Sequence, residues 1–387
     1  MKLAFRSMLV IVTIVMGVPA YSQGIVVGAN VSVDTFYDDQ FENDVPDSAL
    51  GGLRYRPRIT FDHQGQVYQS QLSLGAVYNE FFDPDFADNR NFNINWDNNR
   101  NFQRASIQFG IDFAQRLVED FIEIDDIVEI SRADVVTSLT ASPSFFWQLS
   151  ERTRVNASYE FNQTDIDSEL AFDEDFDRQL VTFGWFRSLS TRAELGVFAQ
   201  YSQFNPGDSQ SDSGSETLAV SIGGDYQPGR GWTLSGSLGA EQINFDMESP
   251  GFFQQTVLDD GQTVVFLDVE AQFEGRRGSI GISADAGTSQ RVDGTIDNQQ
   301  GLSFRWVRNF SQRLSYNLNG RYFQSDRDDR QNYSIGGGLN WRSSPRWSYS
   351  LNYRFRDEST STRIVEASSN RITLGVDYSF QNLVLGR

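Results

Sequence analysis

Apolar and polar residues alternate strictly along most of this chain. Val155, Ala157, Tyr159 and Phe161 are separated by Arg154, Asn156, Ser158 and Glu160. The same period of two runs through Ala193, Leu195, Val197, Ala199 and Tyr201, and through Val265, Leu267, Val269, Ala271 and Phe273. It is almost unbroken from Leu314 to Phe380. Alternation over nine or more residues predicts strands with one apolar and one polar face. The pattern places strands near 25–37, 50–62, 67–81, 102–113, 135–148, 153–164, 178–187, 192–204 and 215–226. It continues with 231–245, 263–274, 278–290, 300–308, 313–325, 332–342, 346–358 and 370–381. Only 114–134 has spacing that fits either a strand or a helical turn.

The connections fall into two kinds that alternate. Short turns carry arginine, as in 149–154, 188–192, 227–231, 275–278, 309–313 and 343–346. Long connections are acidic or polar, as in 38–47, 165–177, 205–216 and 246–262. Tight turns at one end and long loops at the other are the layout of a transmembrane antiparallel up-and-down β-barrel. The strands are long enough to span when tilted. Trp147, Trp185, Trp232, Trp306, Trp341 and Trp347 lie near strand ends, where interfacial girdles form. A propeller, sandwich or β-helix would also alternate, but the second face here is charged, and a dry core cannot be. Seventeen strands are an odd number, and a bacterial single-chain barrel needs an even one. A further strand is therefore expected near 116–124, giving 18; a helix there would instead favour 16.

Composition narrows the picture. Mean hydropathy is −0.43, and after the first 20 residues no apolar run is long enough to span as a helix. There is no cysteine, so neither a disulfide framework nor a thiolate metal site is available. The net charge of −20 argues against sequence-independent nucleic-acid binding. The 31 phenylalanines are too many for a disordered acidic chain. Residues 1–22 have the three-part form of a secretory signal: Lys2 and Arg6, an apolar stretch from Met8 to Val18, then small residues suited to cleavage. The expected organisation is a signal peptide over 1–22 and a single barrel domain over 23–387. No large plug segment precedes the barrel, which argues against a plugged energy-coupled transporter. Lys2 is the only lysine.

The last long strand, 370–380, resembles the C-terminal strand of bacterial outer-membrane proteins, whose aromatic alternation is read by the barrel assembly machinery. The terminal Phe of that pattern falls at Phe380, followed by QNLVLGR. Hairpins such as 333–359, with a Ser-Ser-x-Arg turn between two strands, resemble the β-barrel porin 2 family. That resemblance implies an outer-membrane location, contact with lipid and lipopolysaccharide, and links to envelope polysaccharide.

Little in the chain reads as catalytic. Barrel enzymes need a histidine as general base, and the one present, His63, falls in an expected periplasmic turn. The Asn-rich run 88–101 reads as a loop, with Ca²⁺ or glycan contact as the alternative; acidic runs read as solvated. No cofactor, metal site or enzyme activity is expected. The best candidate site is Arg54, Arg56 and Arg58, which alternate with Leu53, Tyr55, Pro57, Ile59 and Phe61 and so should face the lumen. Three guanidinium groups on one strand would attract anionic solutes or stack on sugars. They could instead pair with acids on neighbouring strands, Asp34 among them. Other expected lumen residues are Arg154, Glu160, Asp268, Glu270, Asp285, Arg305, Arg321, Arg354 and Arg371. A barrel this wide leaves an aqueous channel, so the expected function is a porin for small hydrophilic solutes. The alternative is a polysaccharide-export or envelope-assembly barrel without general pore activity.

Overall fold

The computed structural model describes residues 24–39, 49–83, 89–117, 135–167, 175–206, 213–247, 261–290, 296–326, 330–359 and 367–385. The expected signal peptide lies outside them. The strands are β1 (Ile25–Asp38), β2 (Leu50–Gln64), β3 (Tyr68–Phe81), β4 (Asn89–Asn101), β5 (Ala105–Leu117), β6 (Val135–Ser150), β7 (Thr153–Asp167), β8 (Phe176–Ser188) and β9 (Ala193–Pro206). They continue as β10 (Ser213–Tyr226), β11 (Trp232–Met247), β12 (Thr263–Gly275), β13 (Gly278–Gln290), β14 (Ile296–Asn309) and β15 (Leu314–Ser325). The last four are β16 (Arg330–Arg342), β17 (Trp347–Ser359), β18 (Ala367–Ser379) and the short β19 (Leu383–Leu385).

Each strand pairs antiparallel with the next, and β1 closes the sheet on β18, Val33 opposite Val376. After a break at 380–382 the chain resumes pairing with β1 as β19, Val26 opposite Val384. β18 and β19 therefore form one stave, and the barrel has eighteen. Followed once round, the register returns to β1 displaced by about 22 residues, which for eighteen staves corresponds to a tilt of roughly 40°.

The eighteenth stave is not where the sequence placed it. Of the segment 116–124, residues 116 and 117 are the last two of β5, and 118–134 falls outside the described residues. The missing strand is β4, the run expected to be a loop. It pairs fully with β3 and β5, setting Phe92, Ile94 and Trp96 on one face and Asn91, Asn93, Asn95 and Asp97 on the other. His63 also moves: it belongs to β2, on the outward face, with its ring 5.7 Å from Tyr68.

The turns show why Ser-x-Arg recurs. In 150–152, 190–192, 311–313 and 344–346 the serine Oγ accepts a hydrogen bond from the arginine backbone N–H, at 3.3, 3.1, 3.1 and 3.3 Å. This local bond fixes a tight reversal while the arginine side chain points to water. The 227–231 turn uses Gly231 at a φ of 83°; a Cβ there would lie 2.2 Å from the Glu274 carbonyl oxygen.

The outward face carries a belt of exposed apolar side chains, among them Val265 (65 % exposed), Leu238 (53 %) and Leu374 (51 %). A water-soluble sheet would cover so large an apolar surface; a barrel in lipid presents it. All seven tryptophans in the chain lie on this face, near the short-turn rim. Trp306 stands edge-on to Tyr316 and Trp341 stacks on Tyr349.

Candidate functional site: the barrel lumen

The twelve residues expected in the lumen all fall on the inward face, because register fixes face. Asp34 lies opposite Arg54 and Gly375, Arg354 opposite Arg371, and Arg321 opposite Ser303 and Ser334. The structure brings seven of them together. Arg305 (β14), Arg321 (β15), Arg354 (β17), Arg371 (β18) and Arg54, Arg56 and Arg58 (β2) stand at mid-height once tilt is allowed for. They form one basic wall that runs across the closing seam.

This wall is partly braced from within. Arg56 forms an ion pair with Asp34, whose carboxylate leans over Gly375; a Cβ at that glycine would lie 2.5 Å from its Oδ1. Arg54 donates to Asn79 Oδ1 at 2.9 Å, and Ser32 donates to Asp377. Phe36 is clamped by two guanidinium groups, Arg54 at 5.3 Å and Arg371 at 5.0 Å from its ring centre. The anticipated pairing with Asp34 is therefore real for Arg56. Arg56, Arg58 and Arg305 are exposed to the lumen.

The remaining expected residues lie elsewhere. Asp268 and Glu270 on β12 and Asp285 on β13 form an exposed acidic strip beside Arg305, with Asp268 directly opposite Asp285. Glu160 borders a cavity of about 510 Å³ on the β2–β8 side, lined by Gln64, Gln69, Gln71, Asn99 and Gln108. Arg154 is separate from the basic wall. Near the short-turn rim it pairs with Glu194, and it lies 4.3 Å from the ring centre of Phe186. There it ties β7 to β8 and β9. Among the described residues no group of three or more His, Asp or Glu could hold a metal ion.

Above the basic wall, toward the long connections, inward side chains are withdrawn from water around most of the circumference. An apolar arc includes Val136, Ile166, Phe176, Phe204 and Ile243, each at most 6 % exposed, with Phe176 stacked on Phe204. A polar arc includes Asp297, Ser325, Asn332, Arg356, Ser369 and Asp38, again at most 6 % exposed. Ser325 donates to Asp297 within it. Below this collar the inward residues are half-buried or exposed.

No family model matches the chain, and no curated protein sequence matches it. Solved structures do. It superposes on OccK2 (OpdF) of Pseudomonas aeruginosa with a TM-score of 0.52 at 11% identity, covering 94% of this chain and all of that one. OccK2 in complex with glucuronate gives 0.51 at 10% identity, covering 93% of this chain and 100% of that one. The fold is an eighteen-stave barrel of the OccK2 type. At this identity the likeness is of fold alone.

Within that fold, sequence reasoning missed Arg356 and the amide-lined cavity. Arg356 follows Arg354 by two residues and shares its face, so the alternation that marked Arg54–Arg58 would have found it. The cavity is built from side chains on seven strands, β2 to β8, and no local spacing signals it.

Proposed function

We propose that this chain is an outer-membrane channel for small hydrophilic solutes that favours anions, with its short-turn rim toward the periplasm. The observation that carries this reading is the basic wall: seven arginines on one side of the lumen around mid-height, three of them exposed. Guanidinium groups in a confined aqueous path lower the energy of carboxylates and phosphates more than that of cations. Glucuronate bound to a barrel of this fold is in keeping with such a solute class. Enzyme chemistry is not part of this reading: His63, the only histidine, has its ring 5.7 Å from Tyr68 on the outward face.

Reversal potentials of the purified protein in planar bilayers under a salt gradient test it. Wild type should pass chloride in preference to potassium. Arg58→Gln with Arg305→Gln should lower that preference several-fold. Unchanged selectivity would remove the arginine wall from the permeation path. A folded barrel without conductance would remove the channel itself.

The buried collar favours a second reading, a barrel of envelope assembly or polysaccharide export with no standing conductance. Under either reading the proposed partners are outer-membrane lipid and lipopolysaccharide around the belt, and the barrel assembly machinery at the strand ending in Phe380.

A further inference from the structure

The outward face is electrically polarised along the barrel axis. Among the described residues, the carboxylates at its strand positions, Glu80, Asp165, Asp177, Glu216 and Asp357, all lie within a few residues of the long connections. At the opposite rim, among the described residues, the outward strand positions carry no carboxylate. They carry arginine instead: Arg100 on β4, Arg187 on β8 and Arg308 on β14, each exposed. Arg90, near the long-connection rim, is the one outward arginine that departs from this.

The three short-turn arginines share a local arrangement. Each follows a tryptophan on the same face of its strand, Trp96, Trp185 or Trp306, and precedes by two residues an exposed apolar side chain at the turn. Those side chains are Phe102, Leu189 and Phe310, at 48, 59 and 57 % exposure. Arg100 lies 5.3 Å from the Phe102 ring centre and Arg308 lies 5.9 Å from that of Phe310. At Arg100 and Arg308 the turn ring lies against the guanidinium, two to four residues past the tryptophan of the same strand. Indoles settle at the boundary between acyl chains and headgroups. A group two to four residues further out stands at the depth of the phosphates. Guanidinium binds phosphate through paired N–H donors.

We propose that the short-turn rim binds the phosphate headgroups of anionic phospholipid through Arg100, Arg187 and Arg308. The occupant is fixed by charge and depth together: three cations with no carboxylate at the described outward strand positions of that end, beside the tryptophan belt. The site concerns the outer wall and does not rest on the lumen conducting.

Intrinsic fluorescence reads it directly, because all seven tryptophans lie beside the site. The full-length protein is reconstituted into phosphatidylcholine vesicles that contain a minor fraction of phosphatidylglycerol, with either lipid brominated. Brominated phosphatidylglycerol should quench several-fold more strongly, mole for mole, than brominated phosphatidylcholine. Arg100→Gln, Arg187→Gln and Arg308→Gln together should abolish the difference. The corresponding lysine variant, which keeps charge but loses the paired donors, should retain part of it. Arg90→Gln should leave it unchanged. Folding of each variant is checked by the heat-dependent shift on electrophoresis, and the three arginines can be replaced singly should the triple variant fail to fold. Equal quenching by both lipids in wild type, or a preference that survives replacement of all three arginines, would overturn the proposal. So would complete displacement by excess inorganic phosphate, which would assign the groups to free anion.

Discussion

Phe36 is an apolar ring in a charged wall, and its surroundings explain why it is tolerated. It is 4 % exposed, lies between the guanidinium groups of Arg54 and Arg371, and meets Phe81 edge-on at 6.1 Å. Gly52 makes room for it: a Cβ there would approach the ring to 2.9 Å. The ring therefore sets the position of two members of the basic wall at once. Phe36→Ala should cost about 3–5 kcal/mol, the range for truncating a buried aromatic. Urea unfolding of the barrel in lipid vesicles measures it, and a loss below about 1 kcal/mol would mean that the arginines are held without the ring. This clamp was not legible in the sequence. Phe36 and Arg371 are brought together only when β1 closes on β18, and no local pattern encodes that closure.

At the scale of the strand, alternation was a sufficient guide wherever the outward residues were aliphatic or aromatic. β4 shows where it weakened. Its inward positions are almost all asparagine, a residue of low strand propensity that also favours turns. The run therefore read as a loop although Phe92, Ile94 and Trp96 kept the period of two. Pairing with both neighbours and burial of amide side chains against a polar lumen override the intrinsic preference of asparagine. The ambiguous stretch beyond it drew the expected strand to the wrong place, while the even count remained right. Ile94 gives a test of the assignment. It faces outward near mid-height, so Ile94→Arg should destabilise the barrel by about 2–4 kcal/mol. Unfolding from vesicles would report this, whereas a residue in a solvated loop would show almost no change. The strand ends illustrate the converse. Ser-x-Arg turns were visible as a repeated phrase, and their physical basis is a side-chain-to-backbone bond only three residues long.

For the whole molecule, the chain's charges sort by position on three surfaces. Arginine gathers on one wall of the lumen and at the short-turn rim, while outward carboxylates gather toward the long connections. Face could be assigned from sequence because it depends on parity alone. Neighbourhood could not: that Arg305 joins Arg54 and Arg154 does not depends on the accumulated register of the whole sheet. The collar of buried inward residues was equally invisible, since its members are serine, aspartate, valine and phenylalanine drawn from most of the staves.

The seam between the first and last strands has a consequence for how this chain can be rearranged. Ile25 sits opposite Leu385, so the two ends of the barrel meet at one rim and are held by ordinary ladder bonds. Which stave comes first is then an accident of synthesis, with no counterpart in the finished cylinder. A few glycine and serine residues joining 385 to 25, with the chain opened instead in the 189–192 turn, should give a permuted protein that refolds from urea into detergent micelles. Electrophoretic mobility before and after boiling would reveal the same compact band. A permutant that never produced that band would mean that the order of strand addition, and not the closed cylinder alone, governs how the protein forms.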